Sequence, residues 1–149
     1  MKLMACAILA MSMIAGTAQA GDWRAVVIDN EVGMLVDTST IRNLPYGKKK
    51  VAWVARLFPA TNEHGTDYTL AQTEFDCSMM TTALLSFHLY SADERVIDSA
   101  TSRRPAEPVI PDTRGHAVYK AVCEGTDNPA SDTVAEALEI YREVITGEN

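Results

Sequence analysis

From residue 21 onward, apolar and polar positions alternate mainly with the two-residue period of β-strands. Trp23–Ile28 is rich in β-branched and aromatic residues and stops at the turn cluster Asp29-Asn30-Glu31. Residues 33–37 supply a returning strand. In 51–57, Val51, Trp53, Ala55 and Leu57 share one face, Pro59 ends the run, and 61–65 is a polar loop. A longer strand over 67–77 aligns Ala71, Thr73, Phe75 and Cys77. Another over 82–90 aligns Ala83, Leu85, Phe87 and Leu89. After the turn at 91–94, residues 95–99 make a sixth strand. The short connections predict antiparallel neighbours in a meander.

The pattern changes at Arg103. Pro105, Pro108 and Pro111 impose an extended stretch that is neither helix nor central strand. Asp112 or Thr113 then caps a short helix ending near Cys123, with His116, Tyr119 and Cys123 in one narrow sector. A second linker, 125–129, leads to an amphipathic helix over 131–145. Its stripe is Val134, Leu138, Tyr141 and Ile145, its polar side carries Glu136, Glu139 and Glu143, and Thr133 with Glu136 has capping-box spacing. The predicted class is α+β: an antiparallel meander of about six strands, one helix against it, and a further C-terminal helix. The expected division is a removable segment over 1–20, an α+β domain over 21–124, and a linker with helix over 125–149.

The first twenty residues obey another rule. Lys2 precedes an apolar run over 3–15, and Ala18-Gln19-Ala20 is a small-x-small site, the layout of a secretory signal peptide cleaved after Ala20. The run is short for a bilayer span and no stop-transfer charges follow it, so the mature chain is expected to carry no transmembrane anchor. Cys6 lies before the apolar core rather than after it, which argues against lipidation there. The expected destination is the periplasm, the cell surface or the medium.

Composition then removes several function classes. The formal charge of −7 becomes one unit more negative when Lys2 leaves, a poor balance for nucleic acid or an anionic membrane. The basic run Lys48-Lys49-Lys50 is expected to be a solvated strand end that discourages edge pairing. In the mature chain only Cys77 and Cys123 remain, and in an exported protein two cysteines read as one disulfide, with a free thiol pair as the alternative. No CxxC or histidine spacing supports a metal. There is no GxSxG, no HExxH and no glycine-rich phosphate loop. An enzymatic site would have to use His64 or His116 with nearby carboxylates. The simpler readings are a solvated loop for His64, a strand position opposite Phe87 for His88, and packing for His116. Asp22, Asp37, Asp76 and Asp98 read as turn residues, and Trp53 as core, while Trp23 divides between core and rim. No catalytic residue, cofactor or metal is expected, and the chain is not expected to be an enzyme.

Five pieces in order carry a resemblance: Asp22-Trp23, Val36-Asp37 with Thr38-Ser39-Thr40-Ile41-Arg42, Val51-Ala52-Trp53-Val54, Glu74-Phe75-Asp76-Cys77, and Lys120-Ala121-Val122-Cys123. Together they span about 21–123 and resemble the surface-adhesin protein E family of Gram-negative bacteria. The resemblance implies about six antiparallel strands with a packed helix, and a disulfide from Cys77 to Cys123. It also implies a binding module for host or envelope proteins, with homodimerisation known in the family. The chain departs from the pattern in lacking a tryptophan between Arg95 and Cys123, and in starting the helix with Pro111-Asp112-Thr113. The helix over 131–145 lies beyond the shared region. A second expectation is therefore a periplasmic structural or assembly subunit that associates through that helix. The pattern assigns no binding residues and chooses neither sheet face.

Overall fold

A computed structural model describes residues 20–102 and 104–147. The expected signal peptide, apart from Ala20, lies outside the described residues. The elements run β1 (Trp23–Ile28), β2 (Gly33–Asn43), β3 (Lys49–Leu57), β4 (Tyr68–Asp76), β5 (Thr81–Tyr90), β6 (Val96–Thr101), β7 (Glu107–Pro108), α1 (Arg114–Glu124), β8 (Ala130–Ser131) and α2 (Val134–Thr146). They form one sheet in the order β6-β5-β4-β3-β2-β1-β8, with β7 also paired to β5. All the pairings are antiparallel. The predicted α+β meander is present. The strand number is eight rather than six because two short segments, Glu107–Pro108 and Ala130–Ser131, lie along strands that would otherwise be open edges.

A helix packs on each face of the sheet. On one, Trp23, Leu35, Ala55, Leu57 and Tyr68 pack against Val134, Ala137, Leu138 and Tyr141 of α2. On the other, Val36, Ala52, Val54 and Phe75 pack against Val118, Tyr119, Ala121 and Val122 of α1. This explains β3, where Val51, Ala52, Val54, Ala55 and Leu57 are all buried. A central strand between two layers reads as a continuous apolar run rather than an alternation. Lys48-Lys49-Lys50 accordingly does not guard an edge, because β3 sits between β2 and β4. Lys49 pairs with Glu74 at 2.7 Å, and Lys50 donates from Nζ to the carbonyls of Val122 (2.9 Å) and Cys123 (3.2 Å) at the end of α1.

Irregularities redirect the side chains. On β5, Leu84 pairs with Thr73 and Ser86 with Gln72, so Leu85 is an extra residue. The inserted residue reverses the alternation. Phe87, opposite Ala71, therefore shares its face with Leu84 rather than with Ala83 and Leu85, as the uninterrupted two-residue period had predicted. β2 continues past Asp37 to Asn43 through a wide register shift between Asp37 and Arg42. Thr133 caps α2 by accepting from the Glu136 N–H, and the Glu136 carboxylate accepts from the Asp132 N–H at 2.9 Å, one residue outside the usual capping-box partner.

Candidate functional site

The placement of α1 frames a concavity on one face of the sheet. Its N-terminus is capped by Thr113, whose Oγ1 accepts from the His116 N–H. In its first turn, Arg114 pairs with Asp29 at 2.8 Å and Glu31 at 2.6 Å, next to the β1–β2 turn. At the far end Cys123 is bonded to Cys77, with Cα atoms 5.7 Å apart, and the Tyr119 hydroxyl donates to the Cys77 carbonyl at 3.1 Å. Pinned at both ends, α1 lies over β1 to β4. The chain reaches it from β7, where the Val109 N–H donates to the Met80 carbonyl at 2.9 Å.

Between this incoming chain, α1 and the sheet lies a groove of about 390 Å³. Its floor is Met34, Val54, Ala71 and Phe75, and its walls include Val109, Ile110 and Val118. Among the described residues, Arg56 is the sole charged one in the lining. It stands directly opposite Thr69 in the β3–β4 register, and its guanidinium sits 5.3 Å from the Phe58 ring centroid. Among the described residues no carboxylate pairs with Arg56.

The residues weighed from sequence are dispersed. His64 is exposed in the β3–β4 loop, 3.5 Å from Glu63. His88 on β5 lies 5.7 Å from Trp53 by ring centroids. His116 accepts from the Asp112 N–H at 3.2 Å and stacks on Tyr119 at 6.4 Å. Among the described residues, no three His, Cys, Asp or Glu side chains are grouped to hold a metal. Trp23 belongs to the core, 8 % exposed, while Trp53 is half-buried beside it.

The motif residues turn out to be staples of the fold. Asp37 is buried in the β2 irregularity rather than sitting in a turn. Its Oδ1 accepts from the Asp22 N–H (3.2 Å), the Ser39 N–H (3.1 Å) and the Ser39 hydroxyl (2.6 Å). The Thr40 hydroxyl donates to the Asp37 carbonyl and accepts from the Trp53 N–H. Asp76 does hold a turn, accepting from the Ser78 and Met79 N–H groups. These bonds hold the Asp76 carboxyl below the usual carboxylate range, the Ser78 hydroxyl being the largest cause.

Two polar features escape the sequence pattern. Arg56 stands within an apolar run, which is the only hint of its place in the groove. The other is the Asp67–Arg142 pair at 2.7 Å, in which the Asp67 side chain is 4 % exposed. Burial pushes the Asp67 carboxyl up, but hydrogen bonds from Thr61, Arg142 and the Ala92 N–H outweigh it and leave it below the ordinary range.

No helix among the described residues is long and apolar enough to cross a membrane. No curated protein and no solved structure matches the chain. The sequence profile of surface-adhesin protein E does match, over residues 23–124, which takes in β1 to β7 and all of α1. That family's character points to an exported or surface protein. With more than half of its length matched, from the Trp23 strand to the end of the disulfide-bonded helix, the chain belongs to the surface-adhesin protein E family.

Proposed function

We propose that this protein is an exported, non-enzymatic binding module that holds a protein of the envelope or of a host along strands β5 and β6. The observation that carries this reading is the uneven cover of the sheet within a surface-adhesin fold. The helices pack on β1 to β4 and β8. β5 is only half-buried along its whole length, and all six residues of β6 are exposed. Val96 and Ile97 are 52 % and 38 % exposed on this edge. A sheet edge offers a partner backbone hydrogen bonds as well as side-chain contacts.

The test uses the full mature chain against immobilised matrix and serum proteins and a detergent extract of the envelope. Saturable binding that is lost in the Val96→Asp/Ile97→Lys variant, with near-UV circular dichroism unchanged, supports the reading. Absence of saturable binding, or binding indifferent to that variant, overturns it. Protease shaving of intact cells decides the location. A domain removed while a periplasmic control survives is at the surface, and one protected until the outer membrane is opened serves an envelope partner.

A second reading, an assembly subunit or homodimer associating through α2, has a specific basis too. The inner stripe of α2 is buried against its own sheet, but Ile140 and Val144 are 48 % and 54 % exposed on the helix, near Ile28 on β1. An Ile140→Asp/Val144→Asp variant of lower mass in solution than the parent favours that reading. A monomeric parent removes it.

A further inference from the structure

We infer that the groove beside α1 is a binding site for a single-chain carboxylic acid of the fatty-acid class, with its carboxylate at Arg56 and its chain along the β3–β4 floor. This goes beyond the protein-binding role of β5 and β6 and does not depend on it.

Charge complementarity carries the inference. Among the described residues, the ion pairs use Arg24, Lys49, His64, Arg114 and Arg142, and none uses Arg56. Arg42, Arg95 and Arg104 also lack a carboxylate partner among the described residues; what distinguishes Arg56 is that, of the described charged residues, it is the one that lines the apolar groove. The Phe58 ring holds the guanidinium from one side and leaves its planar donor fork for an incoming carboxylate. Thr69, directly across on β4, adds a hydroxyl at the same end. No hydrogen bond engages that hydroxyl within the described protein, so it too is available as a donor.

Shape agrees with charge. From the Arg56–Thr69 row the floor descends through Val54–Ala71 to Thr73 and Phe75. Thr69 to Phe75 covers about 20 Å at strand rise, a length that suits an extended hydrocarbon chain. The lining away from Arg56 is mostly apolar, and Ile110, 65 % exposed, stands at the side of the groove as an apolar lip. At about 390 Å³ the space is at the small end of ligand pockets, which run roughly 300–1,000 Å³. That suits one acyl chain better than a two-chain lipid.

The experiment is a fluorescence titration of the full mature protein with cis-parinaric acid, followed by displacement with palmitate and with methyl palmitate. The expected result is one saturable site, displaced by palmitate at least tenfold more effectively than by its ester. In Arg56→Gln, an exposed position whose replacement leaves the core intact, palmitate falls to the level of the ester. In Ala71→Leu, which narrows the floor, both ligands weaken while Val96→Asp/Ile97→Lys leaves both unchanged. If Ala71→Leu proves misfolded by circular dichroism, Ile110→Asp takes its place, since Ile110 projects into solvent. The inference is overturned by the absence of a saturable site, by equal binding of acid and ester, by indifference to Arg56→Gln, or by loss of binding in the β6 variant.

Discussion

Asp67 shows how a single buried charge ties this molecule together. It sits just before β4 and faces Arg142 of α2 at 2.7 Å, while its other oxygen accepts from the Ala92 N–H at 2.8 Å. Arg142 also donates to the Phe58 carbonyl at 3.3 Å. One carboxylate thus joins a loop, a turn and the terminal helix. Asp67→Asn removes the charge from these bonds and should cost roughly 2 kcal/mol, read as a lower urea midpoint. Because the folded carboxyl lies below its unfolded value, its contribution is present above the unfolded value and disappears as pH falls through the folded one. The wild type should therefore lose stability below about pH 4, and Asp67→Asn should lose less over the same interval, measured by urea melts across pH. Tyr68 behaves in the opposite sense. Burial, then Glu94, Tyr90 and Asp67, push its phenol up to about 12, and it stacks on Tyr90 at 5.0 Å. An ultraviolet titration should show one tyrosine ionising near 12, and Tyr68→Phe should remove that step. None of these pairings is written in the sequence, because each joins residues whose nearness is produced by folding.

At the scale of elements, α2 is the instructive case. Its stripe was legible from the 3.6-residue period, and Val134, Leu138 and Tyr141 are indeed the buried side. What the stripe does not say is which surface it meets. It meets the sheet face opposite α1, where the Tyr141 hydroxyl also donates to the Asp29 carbonyl at 2.9 Å. Leu138, 3 % exposed, should cost about 3 kcal/mol when cut to alanine, and Thr133→Ala about 1 kcal/mol through the lost cap. Thermal melts of the two variants check both values and their order. For α1 the equivalent test is Cys77→Ser/Cys123→Ser. The bridge closes a separation of 46 residues, and its loss should cost about 4 kcal/mol in the chain-entropy account, again read from urea midpoints. The β5 alternation departs from the two-residue period because the extra Leu85 gives no local sign: a bulge is defined by the partner strand, and the partner is not in the same stretch of sequence.

For the molecule as a whole, the consequence is a sheet sandwiched between two helices over β1 to β4, with β5 half-buried and β6 exposed. Removing residues 131–149 should uncover Leu35, Leu57 and Tyr68, which α2 now buries. The shortened chain should bind the dye ANS and lose its sharp thermal transition, whereas a merely appended helix would leave both unchanged. Six of the eight strands, both helices, their antiparallel succession and the residues that mark the family were readable from the chain, because periodicity, turn chemistry and short connections act over a few residues, whereas β7 and β8 are too short to show a period. The chain also announced Cys77 and Cys123 as partners through cysteine number and family pattern. Long-range packing settled that the helices take opposite faces, that Lys50 closes a helix instead of guarding an edge, and that Arg56 faces an apolar groove without a carboxylate. Those outcomes depend on which surfaces meet across dozens of residues, and hydrophobic burial, being non-directional, fixes that something must cover a face without fixing what.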